Sequence, residues 1–387
     1  MNEPTIVSTR YLKGVIMTPK RPKSAGAVPK AVGSTAGSKP QSQQLYAALD
    51  LGTNSCRMLI AQPDGARFKV VDSFSKSVQL GAGLESSGRL SQLSMNRTLQ
   101  ALRICAQKLS QFNIKKKRLV ATEACRRAEN GHVLMNKIKI ETGLQLDIIS
   151  SEEEAQLAVL SCGPLVHQET EQLLVVDIGG GSTELVWVDL VNVEPSLRSR
   201  AIMHMHKGFR SGSRPNKFGA KVVDWISRPL GVATLRDLFN DVDDDAGRFA
   251  LMSLMFEEKL EKFVPYDRAH KTNRFQIIGT SGTVTTVAAS HLGLRRYDRN
   301  KVDGLSISSA QIDKVIHDYL RLGQDGRQKD PLIGYERQAL IMSGAAILQA
   351  LLRIWPTDNL SVADRGLREG LLYAQMSADS VLREQKS

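Results

Sequence analysis

The chain has 387 residues, 42% of them hydrophobic, and carries a formal net charge of +12 at pH 7. This length is enough for a large hydrophobic core and predicts two domains. No stretch approaches the roughly 18 apolar residues of a membrane-spanning helix, so the sequence argues against a helical membrane protein.

The charge is unevenly distributed along the chain. Half of it lies in residues 1–44, which hold seven Lys and Arg against a single acid, Glu3. This segment is rich in Gly, Pro, Ser and Ala and has no sustained apolar period, so we predict a disordered basic tail. The modest positive charge of the remaining residues suits an anionic substrate.

The four cysteines lie far apart, and none forms a CxxC pair. This spacing argues against a zinc site and against a secreted disulfide scaffold. We therefore expect a reducing, cytoplasmic environment for Cys56, Cys105, Cys125 and Cys162.

After the tail, strands and helices alternate, which predicts an α/β fold. Apolar residues at a period of 3.6 indicate one helix within 91–112, and Gly143 marks the end of another. In chain order we predict strands at 45–50, 56–62 and 67–74, the first helix, a strand at 118–123, the helix that ends at Gly143, a strand at 145–150 and a helix capped by Ser151.

The opening pattern then occurs a second time. The segments LYAALDLGTNSCRMLIA, from Leu45, and LLVVDIGGGSTELVWVDL, from Leu173, both contain an apolar strand, an Asp–Gly turn and a second apolar strand. The repeat predicts two similar domains, at 45–171 and 172–375, and a tail at 376–387. In the second domain we expect a strand near 199–205, helices at 232–240 and 246–262, a strand at 274–279 and mostly helix thereafter.

The second of these turns, DIGGGSTE at 177–184, is the strongest chemical signal. Three successive glycines let the backbone approach a ligand, and turned backbone N–H groups form an anion-binding concavity. Ser182 and Thr183 add hydroxyl donors, while Asp177 and Glu184 would face a divalent cation or a water. A flexible turn is the alternative, but DxGGGSxE between two apolar strands rarely serves a turn alone.

Two further loops give weaker signals. The turn DLGTNS at 50–55 is explained equally well as a polar hairpin, but its similarity to the turn at 177 favours a second phosphate loop across a cleft. Arg57 then either reaches the same anion or lies on a strand face. The segment GTSGT at 279–283 aims a helix N-terminus at the cleft, where it favours anions, or is an ordinary capped turn.

The segment SSEEEAQLAVL at 150–160 places three acids in the first turn of a helix. The helix dipole favours acids at this position in any case. Position alone therefore gives little support for a catalytic role.

Together these segments resemble the Ppx/GppA family of exopolyphosphatases and guanosine pentaphosphate phosphohydrolases. The resemblance implies two actin-like, ribonuclease H-like domains of the sugar-kinase/Hsp70/actin superfamily, with an interdomain cleft and a C-terminal helix that packs back on the first domain. We expect no HD-type extension, because the sequence is similar to the short, two-domain members. The matching pieces are DLGTNSCR (50–57), ATEACRRAEN (121–130), IISSEEEA (148–155), DIGGGSTELV (177–186), PLGVATLRDLF (229–239), GTSGTVTTVAA (279–289) and DRGLREGLL (364–372).

The resemblance also implies a reaction and a site. It implies hydrolysis of a terminal phosphoanhydride with Mg²⁺ or another divalent cation, with Glu154 activating water. The implied metal ligands are Asp50, Asp177 and Glu184, and Arg126 is either a phosphate ligand or part of a surface salt bridge. The predicted phosphate-binding residues are Asp50, Gly52, Thr53, Asn54, Ser55, Arg57, Arg126, Asp177, Gly179, Gly180, Gly181, Ser182, Thr183, Gly279, Thr280, Ser281, Gly282 and Thr283.

One cation-rich stretch, MHMHKGFRSGSRPNKF at 203–218, is not explained by the resemblance. On a strand, His204 and His206 would share a face and form a conceivable metal pair. Because no further ligand is evident, we favour a solvated edge or a surface that follows a polyanion.

The predicted function is release of terminal orthophosphate from inorganic polyphosphate. The alternative substrate is guanosine pentaphosphate (pppGpp), a molecule of the stringent response, because the loops do not separate the two. A carbohydrate or acetate-type kinase shares the loops but gives no role to the EEA segment, and a non-catalytic sensor would not need Glu154. We expect no specific nucleic-acid partner and no membrane partner, and a homodimer is left open.

Overall fold

The computed structural model describes residues 44–205, 209, 214–263, 265 and 274–382. The predicted basic tail, except Gln44, and the last five residues of the predicted C-terminal tail lie outside them. Within the described ranges, no helix combines the length and the apolar character needed to cross a membrane.

The first sheet is built around a buried central strand. Its five strands are β1 (Leu45–Leu51), β2 (Ser55–Asp64), β3 (Arg67–Ser77), β4 (Ile114–Ala121) and β5 (Asp147–Ile148). Their spatial order is β3-β2-β1-β4-β5, in which β1, β2 and β3 form an antiparallel meander and β4 and β5 join in parallel. The centre of β1 is apolar and buried throughout because both faces of the sheet are covered.

The second sheet repeats this topology. Its strands are β6 (Gln172–Ile178), β7 (Thr183–Asp189), β8 (Lys221–Arg228), β9 (Phe275–Thr280), β10 (Ser306–Ile307) and β11 (Leu360–Ala363). The order is β10-β11-β9-β6-β7-β8, again with an antiparallel meander (β6, β7, β8) extended by parallel strands (β9, β11). The added edge strand β10 is antiparallel to β11. The sequence repeat is therefore a repeat of topology.

Helices cover both sheets. They are α1 (Leu84–Ser87), α2 (Gln92–Ser110), α3 (Glu123–Arg127), α4 (Gly131–Thr142), α5 (Ser151–Cys162), α6 (Arg198–Met203), α7 (Val232–Leu238), α8 (Asp245–Glu258), α9 (Gly282–His291), α10 (Arg299–Val302), α11 (Ser309–Lys329), α12 (Gly334–Ile354) and α13 (Leu367–Ala378). As predicted, Gly143 ends a helix, here α4, with a positive φ of 69° that glycine adopts without strain.

Helix α5 contributes to the cores on two sides. Its Leu157 packs in a cluster with Tyr46 and Leu371, between the first sheet and α13. Its Val159 packs in another cluster with Val175 of the second sheet. Packing from both sides fixes the position of α5, and with it the acids in its first turn.

The C-terminal helix α13 lies against α5 and β1. The two helices approach so closely at Gly370 that an added Cβ would overlap the carbonyl group of Leu157. At the far end of α13, the Tyr46 hydroxyl donates a hydrogen bond of 2.8 Å to Asp379. The helix continues to Ala378, past residue 375, at which we place the end of the second domain.

The predicted strand at 199–205 is wrong, because Arg198–Met203 form α6 and a turn follows at 204–205. Ala201, Ile202 and Met205 are buried at helical spacing in the cluster that contains α5. The strand expected at this place in the topology is β8. His204 follows α6, with its Nδ1 atom 2.9 Å from the carbonyl oxygen of Arg200, while His206 lies outside the described residues.

Smaller corrections concern element ends. Ser150, not Ser151, caps α5, since its hydroxyl accepts a hydrogen bond of 3.2 Å from the amide of Glu153. The strand predicted at 145–150 is reduced to the two residues of β5, and β4 starts at Ile114 rather than at 118.

Candidate active site

The two Asp–Gly hairpins have the same internal register. Asp50 on β1 lies opposite Arg57 on β2, and Asp177 on β6 lies opposite Glu184 on β7. Each turn is closed by the same amide-to-carbonyl hydrogen bond of 2.9 Å. The repeat therefore places a cation in the first hairpin where the second has an acid.

The turns of the two hairpins touch each other. A Cβ atom added to Gly180 would lie 3.1 Å from the backbone nitrogen of Asn54, and one added to Gly181 would lie 3.2 Å from Thr53 Cβ. Glycine at these positions thus permits a direct contact between the loops. The Thr53 hydroxyl is buried there and has no hydrogen-bond partner among the described residues. The hairpins confront each other, as the repeat predicts.

A cavity of about 320 Å³ lies beside this contact, at the ends of β1, β6 and β9. All three predicted loops and Glu154 reach it. Of the residues predicted from the sequence, those that line the cavity are Asp50, Gly52, Thr53, Asn54, Ser55, Arg57, Glu154, Asp177, Gly179, Gly180, Gly181, Ser182, Thr280, Ser281, Gly282 and Thr283.

Four predicted residues lie behind the cavity wall. The Thr183 hydroxyl donates a hydrogen bond of 2.8 Å to the carbonyl oxygen of Leu230, and Gly279 is a buried residue inside β9. Glu184 is buried and accepts a hydrogen bond of 2.7 Å from Ser227. Arg126 is directed at carboxylates, so the predicted surface salt bridge is in fact partly buried.

The third loop ends in a capped helix. The Ser281 hydroxyl accepts a hydrogen bond of 3.0 Å from the amide of Val284, which starts α9. The cap leaves the first residues of α9, Gly282 and Thr283, on the cavity wall. A helix N-terminus at this place favours an anionic ligand.

Glu154 is held from behind by Arg126. Both terminal nitrogens of Arg126 lie 3.2 Å from Glu154 Oε2, and one donates a further hydrogen bond of 2.7 Å to the carbonyl oxygen of Ile149. Burial, and then the charge of Glu184, raise the pKa of Glu154 well above its usual value, whereas Arg126 acts in the opposite direction. A carboxylate with a raised pKa is a better proton acceptor near neutral pH.

Three more acids share this environment. Burial raises the pKa of Asp50 to about 6, although Arg57 opposes the shift. Burial and the charge of Glu154 raise the pKa of Asp177 to about 8. Burial and the charge of Asp177 raise the pKa of Glu184 to about 8. The acids lack enough counter-charge, and a bound cation would supply it.

The donors fit a magnesium ion that is held partly by the substrate. Among the described residues, no three His, Cys, Asp or Glu side chains form a ready metal site. Mg²⁺ commonly binds one or two carboxylates, with waters and substrate phosphates as its other ligands. Asp50 and Asp177 line the cavity and offer such oxygens, whereas Glu184 is engaged with Ser227.

These shifts predict how stability depends on pH. A carboxyl whose pKa is higher in the folded protein keeps a proton that the unfolded chain releases, so folding is favoured at low pH and loses this contribution as pH rises. For Asp177 and Glu184 the loss extends from about pH 4 to about pH 8. We expect unfolding free energy in EDTA to fall between about pH 5 and 8, and Mg²⁺ to reduce that fall.

Urea unfolding across this pH range measures the effect. Asp177→Asn should flatten the pH dependence in EDTA, whereas Asp64→Asn, at an exposed acid, should leave it unchanged. An equal slope in Asp177→Asn and wild type would contradict the assignment.

Three arginines on the cavity wall are not among the sequence predictions. Arg337 on α12 and Arg368 on α13 line the cavity with Arg57. Arg365 lines it as well, but its guanidinium group is paired with Asp303. Burial, and then the charge of Arg368, lower the pKa of Arg57, and the buried Arg57 Nε has no hydrogen-bond partner within the described ranges. Guanidinium groups gathered in this way favour an anion between them. Arg365 and Arg368 lie within the motif DRGLREGLL, which offered a signal, whereas no motif of the sequence contains Arg337.

The wall also has an apolar part. Tyr297, Leu340 and Ile341 line the cavity beyond the glycine loops. Tyr297 is 39% exposed, so its ring is accessible to a ligand.

Two similar mixed sheets, each with a phosphate-type hairpin at a shared cavity, define an actin-like fold of the class that handles phosphoryl groups. Comparisons with known proteins show to which family of this class the chain belongs. Residues 59–379 match the model of the Ppx/GppA phosphatase family, and the chain therefore belongs to this family. It is a hydrolase, and the resemblance seen in the sequence is confirmed.

Solved structures agree with this assignment. The Ppx/GppA family member of Aquifex aeolicus is 27% identical, with a TM-score of 0.67, over 87% of this chain and 98% of that chain. An exopolyphosphatase-like protein is 26% identical, with a TM-score of 0.72, over 86% and 99% of the two chains. An exopolyphosphatase from Cytophaga hutchinsonii, at 22% identity over 87% and 98%, supports the fold with a TM-score of 0.71.

Proposed function

We propose that this phosphatase is an exopolyphosphatase, which releases orthophosphate from the ends of inorganic polyphosphate. The observation that carries the proposal is the composition of the cavity wall: Glu154, a carboxylate of raised pKa, shares it with the three predicted loops and four arginines. This set suits a ligand made of successive phosphates. The exopolyphosphatase-like protein of similar structure supports the same substrate class.

In the proposed reaction, Glu154 accepts a proton from a water molecule as the water oxygen bonds to the terminal phosphorus. The bridging P–O bond breaks, its electron pair stays on the shortened chain, and orthophosphate is released. Arg126 holds Glu154 in place through its two contacts of 3.2 Å. Fixed orientation of the base is a large part of such catalysis, because the phosphoryl group needs little further chemistry from the protein.

Three kinds of group would neutralise the negative charge of the phosphate oxygens. Backbone amides of the hairpin turns and the N-terminus of α9 provide dipoles. Arg57, Arg337 and Arg368 provide full positive charges on the same wall. A Mg²⁺ ion at Asp50 and Asp177 would add a divalent charge to the phosphate oxygens.

The second candidate substrate is pppGpp, and one observation favours it. Tyr297, Leu340 and Ile341 form an apolar part of the wall, whereas polyphosphate has no apolar surface. A nucleoside attached to the phosphates would use this surface, since aromatic rings stack on bases.

The test is orthophosphate release by the full chain with Mg²⁺, from long-chain polyphosphate and from pppGpp in parallel. The proposal expects a kcat/KM for polyphosphate above that for pppGpp; the reverse order would make pppGpp the substrate. Release from neither, together with ATP-dependent phosphorylation of a sugar, would replace both with a kinase. Binding of polyphosphate without release from either substrate would indicate a sensor.

A further inference from the structure

A chain of ion pairs starts at the carboxylate of Glu154, passes through Glu123, which lines the same cavity, and ends at α7. We infer that Glu123 is a positioning residue for Glu154, and that Arg127 and Glu85 connect it to the contact between the hairpin loops. The inference rests on the proposed role of Glu154 as the base.

The first link joins Glu154 to Glu123 through Arg126. Nη2 of Arg126, one of the two nitrogens that lie 3.2 Å from Glu154 Oε2, also donates a hydrogen bond to Glu123 Oε2. Glu123 and Arg126 are three residues apart on α3, so the helix itself holds them together. The side chain of Glu123 is only 9% exposed, and an ion pair so little hydrated is sensitive to loss of either partner.

The second link brings Glu123 to the glycine loop of the other hairpin. A Cβ atom added to Gly181 would lie 3.0 Å from Glu123 Cγ. The side chain of Glu123 therefore packs against the loop that follows Asp177. If this loop separates from the first hairpin, the side chain of Glu123 loses this packing contact.

The third link crosses to α7. Arg127 donates two hydrogen bonds to Glu85, of 2.6 and 3.0 Å, and its Nε lies 3.8 Å from Glu123 Oε1. Glu85 Oε1 in turn lies 3.4 Å from the Thr234 hydroxyl, and that hydroxyl lies 3.2 Å from the carbonyl oxygen of Gly181. Thr234 belongs to α7, after the last strand of the second meander.

This arrangement makes the site of Glu154 depend on closure of the loops. When α7 and Gly181 contact the first hairpin, Glu85 and Glu123 are held on the two sides of Arg127, and Glu123 directs Arg126 at Glu154. When the contact opens, Glu85 loses its contact with the Thr234 hydroxyl, and the side chain of Glu123 loses its packing against Gly181. A network of this kind behaves as a unit, because each charge orients the next in a poorly hydrated environment.

The test compares Glu85→Gln, Glu123→Gln and the double variant with a matched control, Glu153→Gln. Glu153 forms an Arg–Glu pair of 3.0 Å with Arg118 in the turn that holds Glu154, so it reports loss of a similar pair elsewhere. We expect Glu123→Gln to lower kcat for orthophosphate release about 10- to 100-fold with KM within about twofold, because misplacement of a base affects turnover. Glu85→Gln should lower kcat by less.

The double variant gives the sharpest result. If the residues act through one chain, Glu85→Gln should cause no further loss of kcat once Glu123 is replaced. In the double variant Glu85→Gln/Glu153→Gln, by contrast, the two fold-losses of kcat should multiply. Multiplicative loss in Glu85→Gln/Glu123→Gln, or an unchanged kcat in Glu123→Gln, would overturn the inference.

Hydrogen exchange tests the same chain without activity. In Glu85→Gln, amides of residues 122–127 and 150–154 should exchange faster, since their local opening becomes easier; Glu153→Gln should not affect 122–127. Faster exchange in a protein whose wild type releases no phosphate would retain the network and reject the proposed function. Unchanged exchange at 122–127 in Glu85→Gln would reject the network whatever the activity.

Discussion

Replacement of Glu154 with Gln is expected to lower kcat for orthophosphate release by about a thousandfold, the range in which loss of a general base falls. Gln keeps the size of the side chain and an oxygen that can accept the hydrogen bonds from Arg126, but it cannot take a proton from water. Binding should persist, because one acid fewer faces an anionic substrate. Steady-state kinetics with polyphosphate, with KM equal to or below that of the wild type, would check both expectations.

The matched control for this variant is Glu153→Gln, which changes the neighbouring acid of the same helical turn. Glu153 pairs with Arg118, and its loss should leave kcat within about twofold, as for other exposed ion pairs. More than a tenth of wild-type turnover in Glu154→Gln would show that another group activates the water. The family assignment would stand even then, since it rests on residues 59–379 as a whole.

Addition of a single methyl group at Gly181 is the second change for which we expect a large effect. In Gly181→Ala the new Cβ would overlap the Thr53 hydroxyl and lie 3.0 Å from Glu123 Cγ, so the hairpin turns must separate. We expect kcat/KM to fall about 100-fold, because displacement of a phosphate loop by about 1 Å is enough for such a loss. The cores should be affected little, and melting should stay cooperative.

Gly282→Ala is the control for the added methyl group. Gly282 also lies in a glycine-rich loop on the cavity wall, but a Cβ there would meet no atom within 4 Å. Any loss in this variant would therefore come from the ligand rather than from contact between loops. A larger loss at Gly282 than at Gly181 would contradict our explanation, and phosphate-release assays of the two proteins decide the matter.

The fold was predictable where the information is local. The apolar strands around Asp50 and Asp177 are continuous in sequence, and their repetition indicated two equivalent hairpins. The segment 199–205 misled because a short run such as AIMHM fits a strand or one turn of helix equally well. Ala201 and Met205 are buried in the cluster that contains residues of α5, and this packing favours the helix. The sequence of the segment alone does not show that α5 packs against it.

The site, like the fold, was predictable where a local sequence motif marks its residues. The composition of the loops, rich in glycine and hydroxyl residues, indicates a phosphate site. Arg337 and Glu123, in contrast, look in the sequence like ordinary charged residues on the surface of a helix. Arg337 follows Arg57 by 280 residues in sequence, and only the tertiary fold brings both to one cavity. The sequence left Arg126 as a phosphate ligand or part of a salt bridge, and in the structure its partners are the carboxylates of Glu123 and Glu154.

The opposite charges at matching positions of the two hairpins give the cavity an electrical direction. Arg57 and Glu184 occupy equivalent places in their sheets, Arg57 on the cavity wall and Glu184 behind it, so a linear polyanion in the cavity meets a gradient rather than uniform attraction. Polyphosphate has no direction of its own, because its two ends are chemically identical. The protein would supply that direction, and head and tail become distinguishable only once the polymer has entered.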